Sequence, residues 1–331
     1  MSHVYRVSPA VFFLEDVPSE GFIAPRDFRQ LPDGTEHAFS PELREHIDRV
    51  RAQIRYLREL ASLGVATPSK LDLHIKATSP SEEVAQQIRR WLVADQLALP
   101  SRRDSKRLLK EWIELIEDRG VLVSQVSGVG ITEMRGFCLP DDGFPMIVLN
   151  GGDAPAPRLF SLLHELVHLL LGEEGICNSP VPENSHEVFC NSVAAAILIP
   201  RGKLLGMPAV ASVERNHAWT LAVLEELAAP FGVSREALLR RLVSLGKASQ
   251  DDYRHLRSQL QQQYENLPKP ERSGSGPRDA TILRNLGSTY VTRVLEARNR
   301  GLITESSVSD FIFEKLRWAD ALSDRLGMPR A

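Results

Sequence analysis

The sequence predicts an α+β fold in which a small antiparallel sheet packs on one strongly apolar helix, with further helices around both. Apolar residues recur at helical spacing as far as residue 117, and beyond Gly120 the pattern changes to short extended runs. The run from Leu159 to Leu171 is apolar nearly all round, which indicates a helix buried in a core.

Three amphipathic helices are predicted in the first part of the chain. Residues 17–40 are rich in proline, glycine and charge and indicate an irregular lead-in. Apolar residues spaced three and four apart then predict a long helix from Pro41, a second from about Ser81 to Leu97 and a third after Asp104. The basic residues of the first helix favour a solvated face over a nucleic-acid surface: Arg49, Arg51, Arg55 and Arg58.

Three short strands are predicted at 121–126, 134–139 and 145–150. The last two are joined by a turn at Pro140–Gly143. A strand at the edge of a sheet can bind an extended peptide as an added strand, and we assign this substrate-binding role to the residues Met134, Arg135, Gly136 and Phe137. The alternative is that this segment is an interior strand.

The apolar helix contains the sequence His164-Glu-Leu-Val-His168. Residues four apart share a helix face, so both imidazoles can bind one metal ion, and Glu165 then lies beside it. Zinc in hydrolases takes three protein ligands and leaves a position open for water, whose proton a neighbouring carboxylate can take. The motif therefore predicts peptide-bond hydrolysis. The alternative is that both are core histidines bonded to backbone carbonyls, with Glu165 paired to an arginine.

A third ligand is expected from the predicted helix between Pro182 and Pro200. Glu183, Glu187 and Asn191 fall on one face of it, and one of these carboxylates can reach the metal. His186 is a competing ligand, and the two glutamates could instead belong to an exposed helix face.

These residues resemble the ImmA/IrrE-type zinc metallopeptidases. HELVH is followed by Glu187, three residues, Asn191 and then a run of alanine and aliphatic residues to Pro200, where the family has E-x-x-A-N-x-F-A-A-x-L-L-M-P. Cys190 stands at the alanine of that pattern, Val193 at the phenylalanine and Ile199 at the methionine. The resemblance covers residues 107–247 well. It implies His164, His168 and Glu187 as ligands of Zn²⁺ and Glu165 as the general base.

The resemblance also implies a substrate, a helix-turn-helix repressor that is encoded nearby and controls stress-response or mobile-element genes. Two features depart from known members. The first helices do not have the pattern of a repressor-type DNA-binding domain, and the tail after Ser273 is short and helical compared with the sensor domain of radiation-response members.

Residues 221–245 predict two helices joined by a glycine-containing turn, as in helix-turn-helix units. Arg235, Arg240 and Arg241 could face phosphates. This supports a rival hypothesis, a DNA-binding regulator with a structural metal site. An antitoxin-like partner-binding module with a residual site is a further alternative.

The remaining chain adds helices and a linker. A polar helix is predicted at 251–265, and two terminal helices, around 282–295 and 308–322, are hinged at Gly301. The expected division is an N-terminal helical region (1–103), a zincin-like core (104–205), a helix-turn-helix-like extension (206–265), a linker (266–279) and a C-terminal helical region (280–331).

Composition places the chain among soluble globular proteins, because 43% of its residues are hydrophobic and 25% are charged. The net charge of −3 indicates no particular polyanionic partner. Cys138, Cys177 and Cys190 form no CxxC pair and are expected to be reduced core residues. No segment has the length of a membrane span or the pattern of a secretion signal, so we expect a cytoplasmic protein that does not contact membranes.

Overall fold

The computed structural model describes residues 39–94, 104–172, 183–212, 219–265 and 276–330. Nearly all of the lead-in (residues 17–38), Cys177 and most of the predicted linker lie outside these ranges. The helices are α1 (Pro41–Ser62), α2 (Ser81–Trp91), α3 (Ser105–Glu117), α4 (Pro155–Leu171), α5 (Glu183–Leu198), α6 (Arg201–Leu205), α7 (Pro208–Ala211), α8 (Leu221–Ala228), α9 (Arg235–Ser244), α10 (Gln250–Glu265), α11 (Arg278–Leu286), α12 (Ser288–Asn299), α13 (Glu305–Ile312) and α14 (Arg317–Leu326). The strands are β1 (Leu122–Val126), β2 (Gly136–Leu139) and β3 (Met146–Asn150).

The α+β class is confirmed, but the sheet is mixed rather than antiparallel. Its strand order is β1-β3-β2, with β3 parallel to β1 and antiparallel to β2. The hairpin of β2 and β3 inserts β3 in the middle, where every residue from Met146 to Asn150 is buried. Burial of both faces is typical of a strand inside a layered α/β arrangement. Strand β2 lies at one edge of the sheet, and it begins at Gly136, two residues later than predicted.

One face of the sheet packs on the helices that surround the HELVH motif. Helix α4 contacts β2 and β3 on one side and α3 and α5 on the others, while α2 packs on α5. Helices α8 and α9 belong to the same core. This arrangement explains why α4 is apolar all round, because each of its faces meets another element.

The opposite face of the sheet packs on α1 and the C-terminal helices. The predicted pair of terminal helices is wrong: four helices, α11 to α14, occupy this region. The first break is at Gly287, whose φ of +88° a helix cannot accommodate. A Cβ there would lie 2.5 Å from the carbonyl oxygen of Val123 in β1, so the glycine also permits close contact with the sheet. The predicted break at Gly301 is confirmed, because that residue follows α12 with a φ of +66°.

Two boundaries differ from the sequence predictions. Helix α2 ends at Trp91 rather than Leu97, and residues 95–103 lie outside the described ranges. Helix α11 begins at Arg278, inside the range expected for the linker. The division into five regions stays a prediction. Among the described helices, none is both long and apolar enough to cross a membrane.

Candidate metal centre

Helix α4 carries the motif at the centre of the protein. It begins with Pro155 at its first turn and ends at Gly172, whose φ of +58° closes the helix in the left-handed region. His164 and Glu165 have no exposed surface, and His168 is 7% exposed. Because three adjacent ionisable groups are costly to bury, their surroundings must supply opposite charge or a cation.

Three donor groups converge beside α4. The Nε2 atoms of His164 and His168 are 3.1 Å apart. Glu187 of α5 places Oε2 at 3.3 Å from His164 Nε2 and Oε1 at 3.2 Å from His168 Nε2. Within the described ranges these three residues form the one group of its kind, with all ligand atoms inside 4.8 Å of one another.

The other predicted ligands lie outside this group. His186 precedes Glu187 on α5 and is buried, but its ring is not among the three donors. Asn191 lies one helical turn beyond Glu187 and is partly buried. Glu183 begins α5, and its side chain lies outside the described part of the structure.

The separations of the donors fit a tetrahedral zinc site. Zinc binds nitrogen and carboxylate oxygen at about 2.0–2.1 Å, which puts neighbouring donors of a tetrahedron about 3.3 Å apart. The three observed separations are 3.1, 3.3 and 3.2 Å. Two imidazoles and one carboxylate also match the donor set of catalytic zinc. Glu187 is 43% exposed, so the centre opens toward solvent on the side of α5.

The electrostatics of the centre favour positive charge between the donors. Burial lowers the pKa of His168, but hydrogen bonds with Cys190 and Glu187 outweigh it and raise that pKa to about 11. Burial also raises the pKa of Glu187, yet its contacts with the two histidines are stronger and hold that pKa well below its usual range. The carboxylate is therefore ionised, and the pocket attracts a proton or a metal cation.

Gly136 brings the edge strand against Glu165. A Cβ on Gly136 would lie 3.3 Å from Glu165 Cγ, 3.4 Å from its Oε1 and 3.2 Å from the carbonyl oxygen of Val148. Any side chain would press on the acid or on the central strand. The absence of a side chain at this position thus allows β2 to lie directly beside Glu165.

Asn150 holds the backbone that precedes this strand through hydrogen bonds. Its Nδ2 donates to the carbonyl oxygens of Val129 and Met134, and its backbone N–H donates to the carbonyl oxygen of Arg135. Met134 and Arg135, which were predicted to lie in the strand, instead precede it, and hydrogen bonds from Asn150 hold their backbone in place. Arg135 forms a 3.1 Å ion pair with Asp153. Sequence reasoning missed Asn150, although its position at the end of a buried strand could have indicated a buried polar anchor.

Two further side chains contact the histidines and were not predicted as parts of the site. Phe160, one turn before His164 on α4, stacks on it with ring centroids 6.4 Å apart. Cys190 places Sγ at 3.7 Å from Nδ1 of His168. Burial raises the pKa of the Cys190 thiol, so it is neutral.

The helix-turn-helix-like segment packs on α5 instead of standing apart. Helices α8 and α9 form as predicted, but the three arginines expected to face phosphates have protein partners. Arg235 pairs with Glu225, and Arg240 with Glu236. Arg241 is 4% exposed, pairs with Glu82 of α2 and donates to the carbonyl oxygen of Ile199.

A helix with two imidazoles and an acid, faced by a carboxylate from the next helix and by an edge strand, has the build of a metallopeptidase-type site. The comparison with protein families agrees: residues 117–243 match Peptidase_M78, described as the IrrE N-terminal-like domain. The match over this segment supports the ImmA/IrrE type that the motif predicted, and it supports a peptidase. The matched segment includes the sheet, helices α4 and α5 and nearly all of α9. A comparison with curated proteins gave no match.

Proposed function

We propose that this protein is a zinc-dependent endopeptidase, with His164, His168 and Glu187 as the metal ligands and Glu165 as the general base. The convergence of the three donors at tetrahedral separations supports the proposal most directly. The family match supports the peptidase activity.

The proposed chemistry uses one carboxylate twice. Zinc held by His164, His168 and Glu187 would polarise the scissile carbonyl and lower the pKa of a water molecule toward neutrality. Glu165 removes a proton from the attacking water as its oxygen bonds to the carbonyl carbon. The protonated Glu165 then gives this proton to the amide nitrogen, and the carbon–nitrogen bond breaks to release an amine and a carboxylic acid. Because Glu165 is fully buried, no bulk water competes for its proton.

The edge strand is the proposed binding surface for the peptide backbone. Asn150 N–H donates to the carbonyl oxygen of Arg135, so Arg135 and Asn150 are a hydrogen-bonded pair of the antiparallel ladder. Hydrogen-bonded and non-hydrogen-bonded pairs alternate along the strand, so the N–H and C=O of Gly136 point away from β3. An extended peptide added at this edge would bind Gly136 and present its own backbone to Glu165.

The proposed substrate is a helix-turn-helix repressor encoded nearby, which controls stress-response or mobile-element genes. This assignment rests on the resemblance of the motif residues to ImmA/IrrE-type peptidases, while the family match itself supports only a protein substrate. A repressor substrate implies action in the cytoplasm.

The decisive experiment compares the wild-type protein with Glu165→Gln and His168→Ala, using the co-encoded repressor as substrate and a chelator as control. Glu165→Gln should retain zinc and lose cleavage, because glutamine cannot accept the proton. His168→Ala should lose both. Cleavage that persists in Glu165→Gln, or in chelator, would contradict the mechanism.

The DNA-binding alternative receives no support from the contacts of the three arginines in α9. All three lie in ion pairs, and Arg241 is buried. A gel-shift experiment with the DNA upstream of the gene tests this alternative. A specific shift that Arg235→Ala abolishes would favour a DNA-binding regulator.

A further inference from the structure

The imidazole of His168 is contacted by α5 at both of its nitrogen atoms. Glu187 Oε1 lies 3.2 Å from Nε2, and Cys190 Sγ lies 3.7 Å from Nδ1. Glu187 and Cys190 are three residues apart and so share a face of α5. Both the ring and the thiol are buried, with exposed fractions of 7% and 0%.

The contact at Nδ1 matters because a neutral imidazole carries its proton on one nitrogen only. Nε2 can bind a metal through its lone pair when the proton is on Nδ1. Ligating histidines almost always donate this other N–H to an acceptor, which fixes the ring and its tautomer. A thiol sulfur is a weak acceptor, and 3.7 Å is within the range of hydrogen bonds to sulfur.

We propose that Cys190 is a positioning residue for the metal centre, whose sulfur accepts a hydrogen bond from Nδ1–H of His168 and so holds Nε2 toward the metal. The inference rests on the proposed function, since it needs His168 to be a ligand. It assigns no chemical step to the thiol, which lies on the side of the ring away from the other donors.

The primary test is zinc affinity, measured by competition with a chromophoric chelator. Loss of an outer partner of a ligand typically weakens metal binding by about 10–100-fold. We expect Cys190→Ala to weaken binding by about tenfold or more, and Cys190→Ser, which keeps an acceptor, to remain within about threefold of the wild type. Val193→Ala is the matched control, because Val193 is fully buried on the same helix but offers no acceptor. It should leave affinity within about twofold.

Each result has a defined meaning. Equal affinity of Cys190→Ala and the wild type overturns the inference, as does an equal loss in Cys190→Ala and Val193→Ala, which would indicate packing alone. A wild-type protein that binds no zinc overturns the proposed function itself, and with it this inference.

A second measurement needs no variant. In the zinc-loaded wild-type protein, nuclear magnetic resonance should show the Nδ1 proton of His168 with an Overhauser contact to the β protons of Cys190. A His168 Nδ1 proton that is resolved but has no contact with Cys190 rejects the proposed hydrogen bond, even if the alanine variant does not fold.

Discussion

Replacement of Arg241 by alanine should destabilise the protein, although Arg241 is not part of the proposed metal site. It contacts the C-terminal end of α5, whereas Glu187 lies near the N-terminal end of that helix. Its guanidinium forms two bonds to Glu82, with Nη1–Oε1 at 2.7 Å and Nη2–Oε2 at 2.9 Å, and Nε donates to the carbonyl oxygen of Ile199 at 3.0 Å. Ile199 directly follows α5, the helix that carries Glu187. Arg241 therefore joins α2, α5 and α9.

The magnitude follows from what the truncation leaves behind. Ile199 is 1% exposed, so its carbonyl oxygen would lose a partner that water cannot easily replace, at a cost of about 1–3 kcal/mol. The side chain of Glu82 is 30% exposed, so hydration of its carboxylate would offset part of the lost ion-pair energy. We expect the free energy of unfolding to fall by about 2–4 kcal/mol in total.

The assay is urea unfolding of the metal-free protein in chelator, which separates packing from zinc binding. The control is Arg240→Ala, because Arg240 is the adjacent residue and is exposed. Its contacts in the described part of the chain are an ion pair with Glu236 on α9 and a cation–π contact with Tyr253 of α10. Its removal should cost about 0.5 kcal/mol or less. If the two variants unfold at the same urea concentration, the structural role of Arg241 is refuted.

The remaining predictions concern the acid, the metal and the second core. Gly136→Ala should lower kcat/KM by about tenfold or more with zinc content unchanged, since its Cβ would lie 3.3 Å from Glu165 Cγ. The control is Gly202→Ala, whose Cβ would meet nothing within 4 Å, and equal activities of the two variants would exclude a role of Gly136 in positioning Glu165. Zinc affinity should rise with pH, because the raised pKa of His168 keeps it protonated near neutrality and zinc must displace that proton. Calorimetry in buffers of different ionisation enthalpy should detect release of at least one proton, and an affinity that does not change with pH would contradict this prediction. Tyr290→Phe should cost about 1 kcal/mol of stability without changing zinc affinity, since its hydroxyl donates to the carbonyl oxygen of Phe311 on the far side of the sheet; a change in affinity would show that the two cores are coupled.

The local parts of the site were predictable from sequence because helical spacing determines them. His164 and His168 share a face because residues four apart do so in any helix, and this allows their Nε2 atoms to lie 3.1 Å apart. The candidates for the third ligand could be narrowed to a few residues, including Glu187, because they share one helix face. The choice between Glu187 and His186 needed the three-dimensional packing of α5 on α4.

The errors have a common physical origin, since the features concerned depend on distant residues. Alternation of side chains reports a strand but not its direction, so the parallel pairing of β1 and β3 could not be derived. The apolar period continues across Gly287, and the break there reflects a close approach to Val123, more than 160 positions earlier in the numbering. The arginines of α9 carry the same charge whether they face phosphates or protein, and the partner of Arg241 is Glu82 of α2.

Glu187, the proposed third ligand, depends both on its place along a helix and on the packing of distant residues. The two histidines are positioned by one helix, α4. Glu187 lies near them only while α5 packs against α4. That docking is supported at the far end of α5 by two buried guanidiniums: Arg89 of α2 donates to the carbonyl oxygen of Ile197 at 2.7 Å, and Arg241 of α9 to that of Ile199. Cations at a helix C-terminus also interact favourably with its dipole. Through Arg241, the helix-turn-helix-like segment therefore stabilises the C-terminal end of α5, the helix whose N-terminal half carries Glu187.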